Sequence, residues 1–370
     1  MIVRRQLSVL VGVVLSAMLS SALADPSYDW KRISPAEAGF LPDVGEKLDD
    51  AVSTNELANL HAVIVVRGGK LVLDRYYEGA DEHRGQALGI VKFGPEVKHD
   101  LRSVTKSIVG LLYGIALADG KVADLDQPLV DQFPAYEDLA AEPKRQRMTV
   151  FHALSMTLGT EWDEDLPYTD PRNSETAMDL AADRYRYVLE RPFVAEPGSQ
   201  WNYNGGATAV LAHLISRGTG QPLLDYAREN LFEPLGIADV EWIAGSDGEP
   251  IAASGLRMRP RDLAKIGQLV LDRGTWGNSQ LVPSEWLDQS FTPRVQAGDD
   301  LEYGYQWWLG KLWNNDQPWM GAFGNGGQRL FIVPSLELVV VITAGNYNKP
   351  DNWKLPVAVI SKFVLPALRD

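Results

Sequence analysis

The chain has no cysteine among its 370 residues. That excludes disulfide scaffolds, iron–sulfur clusters, cysteine-ligated zinc, thiol nucleophiles and thioester lipid anchors together. Positive charge is also scarce. Lys and Arg number 35 against 49 Asp and Glu, for a formal charge of −14 and a pI near 4.9. Nucleic acids and anionic membranes are bound by basic patches, so neither is expected as a partner. Low-complexity segments and internal repeats are missing. Hydrophobic residues at 45% and charged residues at 23% give an ordinary globular balance, not a disordered one.

Several catalytic signatures are absent as well. There is no G-x-S-x-G elbow, no G-x-x-x-x-G-K-[ST] loop and no H-E-x-x-H helix. Gly324-Asn-Gly326 is not followed by the third glycine of a dinucleotide fingerprint. The histidines, His61, His83, His99, His152 and His213, are scattered without metal-ligand spacing, and core or surface roles are expected for them. No metal and no organic cofactor is expected.

The first apolar run is short. Arg4 and Arg5 precede Val9–Leu15, and Ala22-Leu-Ala24 forms an A-x-A site before Asp25. Residues 1–24 read as a cleaved signal peptide rather than a membrane anchor, since the run is far too short to span a bilayer. Both Sec export and twin-arginine export fit the start. Cleavage leaves residues 25–370 and no stable membrane anchor, and it takes the charge from −14 to −16 by removing two arginines. A periplasmic or secreted location is expected.

The mature chain shows β zones at both ends. His61–Arg67 and Lys70–Tyr77 flank Gly68-Gly69 and predict a hairpin. Arg329–Val333 and Leu336–Thr343 predict another across Pro334-Ser335, and residues 352–368 predict a terminal helix. Between these zones the pattern is helical: Val104–Leu117 stopped by Asp119-Gly120, Ala207–Arg217 stopped by Gly218, and Arg259–Arg273 stopped by Gly274. The implied class is α+β. An antiparallel sheet is built from both chain ends and flanked by helices, and a mainly helical lobe, roughly residues 108–290, is inserted into the α/β lobe. A cleft between the lobes is the expected ligand site.

One constellation carries chemistry. Ser103-Val-Thr-Lys106 opens the first of these helices. Spacing of three residues places both side chains on one face, with the serine at the helix N-terminus, where developing negative charge is favoured. Burial along the apolar helix is expected to lower the Lys106 pKa toward base function.

Asp100–Gly110, with Asp119-Gly-Lys121 and Leu125–Pro128, resembles the serine β-lactamase and penicillin-binding protein superfamily. The resemblance is to its class C-like branch of esterases, D-aminopeptidases and amide hydrolases. Met148–His152, Leu154–Gly159, Phe232–Gly236 and Ser254–Asp262 extend it from about residue 55 to 345. It implies a β-lactamase/transpeptidase-like fold and an acyl-enzyme on Ser103. By the same resemblance, Tyr203 of Trp201-Asn-Tyr-Asn-Gly-Gly206 matches the tyrosine of the second motif. The third position of that motif is Gly205 rather than Asn, with Asn204 adjacent as a substrate-pocket candidate. Phe323-Gly-Asn-Gly-Gly-Gln328 occupies the place of the third motif. Asn325 replaces its basic residue, Gly327 allows close backbone approach, and the Gln328 N–H would be the oxyanion donor beside that of Ser103. Tyr168 and Trp308 are further pocket candidates.

The neutral Asn325 weakens an anchor for substrate carboxylates. The expected activity is therefore hydrolysis of a small-molecule carboxyl ester or amide, with Lys106 and Tyr203 as the acid/base pair. A β-lactamase or D-amino-acid peptidase acting on cell-wall-type peptides, and a non-catalytic penicillin-binding-like sensor, are the alternatives. The sequence leaves open the natural substrate, the oligomeric state, and which of Lys106 and Tyr203 is the primary base.

Overall fold

The structure is a computed structural model that describes residues 30–313 and 316–369. The predicted signal segment lies outside the described residues. Eight antiparallel strands form the main sheet. Their order is 295–296, 302–303, 308–311, 318–324, 328–333, 338–344, 60–67, 70–76. Both ends of the chain thus meet in one sheet, where Leu60–Arg67 pairs with Leu338–Ala344. The first strand, LHAVIVVR, is buried on both faces, as its continuous apolar run requires. Its hairpin turns through Gly68 and Gly69, both at positive φ (54° and 70°), which is what a tight primed turn demands.

Alternation along this strand divides the core. Ile64 and Val66 face one apolar cluster with the central helices. Val63 and Val65 face another with the Val44–Ser53 helix and the C-terminal segment. The predicted terminal helix is broken into an α-helical turn at Lys354–Ala358, a wider turn at Val359–Val364 and a tight one at Leu365–Ala367.

Between the two halves of the sheet, residues 101–290 contribute helices and only two- and three-residue strands. The Val104–Ala118 helix is mostly apolar and buried through its first thirteen residues. It packs against the Gly205–Thr219 helix, which runs past the predicted stop at Gly218 and ends at Gly220, φ 70°. Gly218 is there for space: a Cβ on it would lie 1.9 Å from the Lys121 carbonyl oxygen.

Candidate active site

Ser103 caps the N-terminus of the buried helix, and its side chain makes no capping hydrogen bond, so the hydroxyl is free for chemistry. Lys106, one turn on, donates to Ser103 Oγ at 3.0 Å. Its ammonium also donates to Glu175 Oε2 at 3.1 Å and to the Ala253 carbonyl at 3.0 Å. Three N–H groups and three acceptors is the full complement of a charged lysine. Burial opposes that charge, but Glu175, Tyr203 and Glu164 outweigh it and hold Lys106 above the ordinary lysine range. This reverses the direction expected from burial on the apolar helix alone. The opposing charge sits on a distant segment: Glu175 is 2% exposed and also accepts from Ser254 Oγ at 2.7 Å.

Tyr203 enters just before the Gly205–Thr219 helix. It borders the same cleft as Ser103, and the Lys106 ammonium lies 4.9 Å from its ring centre. Burial and the two glutamates raise its pKa, so the phenol is neutral at neutral pH. The departure at Gly205 has a steric cause. A Cβ there would lie 2.3 Å from Glu175 Oε2, so the missing side chain makes room for the carboxylate that holds Lys106. Asn204 does not face the cleft. It is 2% exposed and caps its helix, accepting from the Ala207 N–H at 2.9 Å.

Two cavities meet at Ser103. One is small and polar, about 50 Å³, bordered by Arg84, Arg102, Tyr168, Glu175 and Asn325. The other is an aromatic cleft of about 700 Å³ that contains Tyr203, Trp308, Trp319, Phe323 and Arg329 in its walls. Tyr168 borders both, and its hydroxyl donates to Glu164 Oε2 at 2.8 Å. Glu164 also accepts from Trp162 Nε1 and the Gly205 N–H. Burial and neighbouring Glu175 push its pKa up to about 7. Trp308 stacks on Tyr203 (5.7 Å between ring centres) and on Phe323 (5.3 Å), which locks the tyrosine against one wall. Trp307, its neighbour, is instead buried against Phe291.

The third-motif residues divide. Asn325 borders both cavities, but its amide is occupied, donating to Asn348 Oδ1 at 2.9 Å and accepting from the Asn348 N–H at 2.9 Å. Gln328 is fully buried, and its side chain exchanges hydrogen bonds with the main chain of Ala344. Gly327 faces Ala344 and Pro356. Neither borders the two cavities. The wall beside Ser103 is instead Phe323-Gly324. A Cβ on Gly324 would lie 2.4 Å from the Leu101 carbonyl oxygen, so this strand lies directly against the backbone leading into the serine. The 318–324 strand pairs with 308–311 only as far as Gly321, which leaves the edge from Ala322 to Gly324 without a partner strand on that side.

Sequence reasoning did not find Glu164, Glu175, Ser254 or Arg329. Glu164 and Glu175 lie away from the motifs, while Ser254 and Arg329 sit in or beside them, and no residue spacing marks any of the four for the site.

The arrangement is that of a serine hydrolase, and the comparisons agree. Residues 60–356 match the Beta-lactamase family, so the chain belongs to that family. It is similar to a 6-aminohexanoate-dimer hydrolase of Paenarthrobacter ureafaciens, at 24% identity over 83% of this chain and 76% of the relative. It is also similar to esterase EstB of Burkholderia gladioli, at 27% identity over 63% of this chain and 60% of the relative. The fold is shared with the octameric penicillin-binding protein homologue from Pyrococcus abyssi, with a TM-score of 0.63, 17% identity and coverage of 86% of this chain and 75% of that one. The protein is thus a serine hydrolase of the Beta-lactamase family with a β-lactamase/transpeptidase fold.

Proposed function

We propose that this protein is an exported hydrolase of carboxyl esters or amides that works through an acyl-enzyme on Ser103. The carrying observation is the uncapped Ser103 hydroxyl, held by Lys106 at 3.0 Å at the junction of a polar pocket and an aromatic cleft. A substrate with one bulky apolar arm and one compact polar arm fits that pair of cavities.

The charge state of the site supports the following roles. Lys106, kept as an ammonium, stabilises the serine oxygen as negative charge develops. Tyr203, kept neutral, accepts the serine proton as it passes its own to the leaving group, so no phenolate accumulates. Ser103 attacks the carbonyl carbon, the tetrahedral intermediate expels the protonated alcohol or amine, and water then repeats the relay in reverse to free the acid. The Ser103 N–H and a main-chain N–H of the unpaired 322–324 edge are the oxyanion donors in this reading. It replaces the donor expected at Gln328, which lies outside both cavities.

Arg329 qualifies the expectation from Asn325. Its guanidinium lies 4.1 Å from the Phe323 ring centre and borders the aromatic cleft. Among the described residues no carboxylate pairs with it. Burial lowers its pKa to about 10, which leaves it charged at neutral pH. A substrate carboxylate has a partner there, some way along the cleft from the serine.

Incubation with a fluorophosphonate and intact-mass measurement tests the reading. One adduct on Ser103, absent in Ser103→Ala, together with hydrolysis of p-nitrophenyl esters, is expected. No adduct and no turnover would leave the sensor alternative standing, and an adduct with penicillin alone would favour the wall-peptide one. Mass analysis of the protein recovered from a periplasmic fraction should place its first residue at Asp25; a retained leader would refute export by cleavage.

A further inference from the structure

A second buried cluster lies behind the catalytic serine. His61 comes from the Leu60–Arg67 strand, Asp81 from Glu78–His83 and His99 from His99–Asp100, each belonging to a different sheet. Both imidazoles are 0% exposed and Asp81 is 7% exposed. One donor atom from each of the three lies within 4.8 Å of the others.

Hydrogen-bond accounting fixes the tautomers. His99 Nδ1 lies 2.9 Å from the Asp100 carbonyl oxygen, so it carries a hydrogen. His61 Nε2 lies 3.3 Å from Asn59 Oδ1. Asn59 cannot offer its nitrogen instead, because Nδ2 already donates to the Ala80 carbonyl at 2.9 Å. His61 Nε2 therefore carries a hydrogen too. The two remaining nitrogens, His61 Nδ1 and His99 Nε2, face each other at 2.9 Å. In neutral rings both hold lone pairs, and two buried lone pairs in contact are unsatisfied unless a cation joins them.

We infer that His61 Nδ1, His99 Nε2 and the Asp81 carboxylate form a binding site for a divalent metal ion of the zinc class. Two imidazoles and one carboxylate suit Zn²⁺, Co²⁺ or Ni²⁺ rather than the all-oxygen preference of Mg²⁺ and Ca²⁺. Donors at ~2.0–2.1 Å from a tetrahedral ion stand about 3.3–3.4 Å apart. The present gaps are 2.9 Å between the imidazoles and 3.9 Å from His99 Nε2 to Asp81 Oδ1. These two gaps each differ from that spacing by about half an ångström, and the third, between His61 and Asp81, is within 4.8 Å.

The outer shell is already built for this. Each histidine gives its outer N–H to an acceptor that fixes its ring, and Tyr347 Oη donates to Asp81 Oδ1 at 3.0 Å. Phe93 stacks on His61 at 4.1 Å and closes that side. An ion here joins three sheets in a chain that has no cysteine to staple them. It also stands next to the active site. His99 is four residues before Ser103, and Tyr347 packs under Arg102 at 4.5 Å and against Gly326, where a Cβ would lie 2.5 Å from its ring.

The test uses the untagged full-length chain, purified without chelators, with metal measured by plasma mass spectrometry. About one ion per chain is expected. After metal-free refolding, added Zn²⁺ should raise the thermal midpoint by several degrees over EDTA, and Co²⁺ should give the visible absorption of a near-tetrahedral site. Asp81→Asn and His99→Gln should lose both signals. Should either variant fail to fold, the wild-type metal content and refolding result decide alone. A metal-free wild-type chain whose midpoint ignores Zn²⁺ overturns the site, as does metal retained by both folded variants. A metal-free chain whose midpoint falls as pH rises through neutrality would show a shared proton in place of the ion, and overturns it equally.

Discussion

The Glu175 carboxylate stands 3.1 Å from the Lys106 ammonium, with 2% and 1% of the two side chains exposed. In the proposed mechanism this buried pair matters most, because the Glu175 carboxylate opposes loss of the Lys106 proton and so favours a cation beside the nucleophile. Breaking a buried pair by removing one partner costs about 3–5 kcal/mol, since the other charge is left stranded. Glu175→Gln is expected to lower stability to chemical denaturation by an amount of that order and to lower kcat at neutral pH. Gly205→Ala, which pushes a methyl group toward the same carboxylate, should reproduce part of both effects. A Glu175→Gln enzyme with unchanged kcat would show that the Lys106 charge is not needed.

Glu164 gives a pH dependence with a definite sign. Its folded-state pKa is raised from 4.5 to about 7, so between those values the folded state holds a proton that the unfolded chain has released. Stability is greatest below about pH 4.5 from this group and falls as pH rises to 7. One retained proton is worth ~1.4 kcal/mol for each pH step of one across that window, so the loss is on the order of 3 kcal/mol. Asp179, raised to about 6 chiefly by burial, adds to the same slope. Denaturant titrations at pH 5 and pH 7.5 measure it, and Glu164→Gln should flatten it.

Trp313 is 62% exposed yet borders the aromatic cleft, so it tests substrate shape without touching the core. Trp313→Ala should leave the thermal midpoint unchanged. It should lower kcat/KM for esters with a bulky aromatic arm by roughly tenfold, the size of a lost apolar contact, and spare small acetyl esters. Equal losses on both would place the large arm elsewhere.

Arg329 tests charge selectivity. Arg329→Met should lower kcat/KM for a substrate bearing a carboxylate on its apolar arm by about 10–100-fold relative to its methyl ester, the scale of a buried charge-assisted hydrogen bond. An unchanged ratio would mean that the guanidinium serves only to pack on Phe323.

Local patterning made much of the fold legible. The Gly68-Gly69 hairpin, the all-buried strand at 60–67 and the Ser103 helix follow from turn chemistry and apolar periodicity, which act over a few residues. The Gly218 stop failed because glycine there answers a contact with Lys121, a partner about a hundred positions away. In the proposed mechanism the oxyanion donor moves from Gln328 to 322–324 for a similar reason. Motif order places a segment near the cleft, but strand pairing decides which edge faces the serine.

The sequence by itself determined that Ser103 and Lys106 share a helical face, and motif resemblance supplied Tyr203 as their partner, because helix spacing and motif order need no knowledge of distant chain. Only the tertiary structure decided that Glu175 pairs with Lys106, that Asn204 is a helix cap, and that His61, Asp81 and His99 meet. Each of these depends on a side chain brought from elsewhere in the chain, and on burial that strengthens its charge or leaves its lone pair without water.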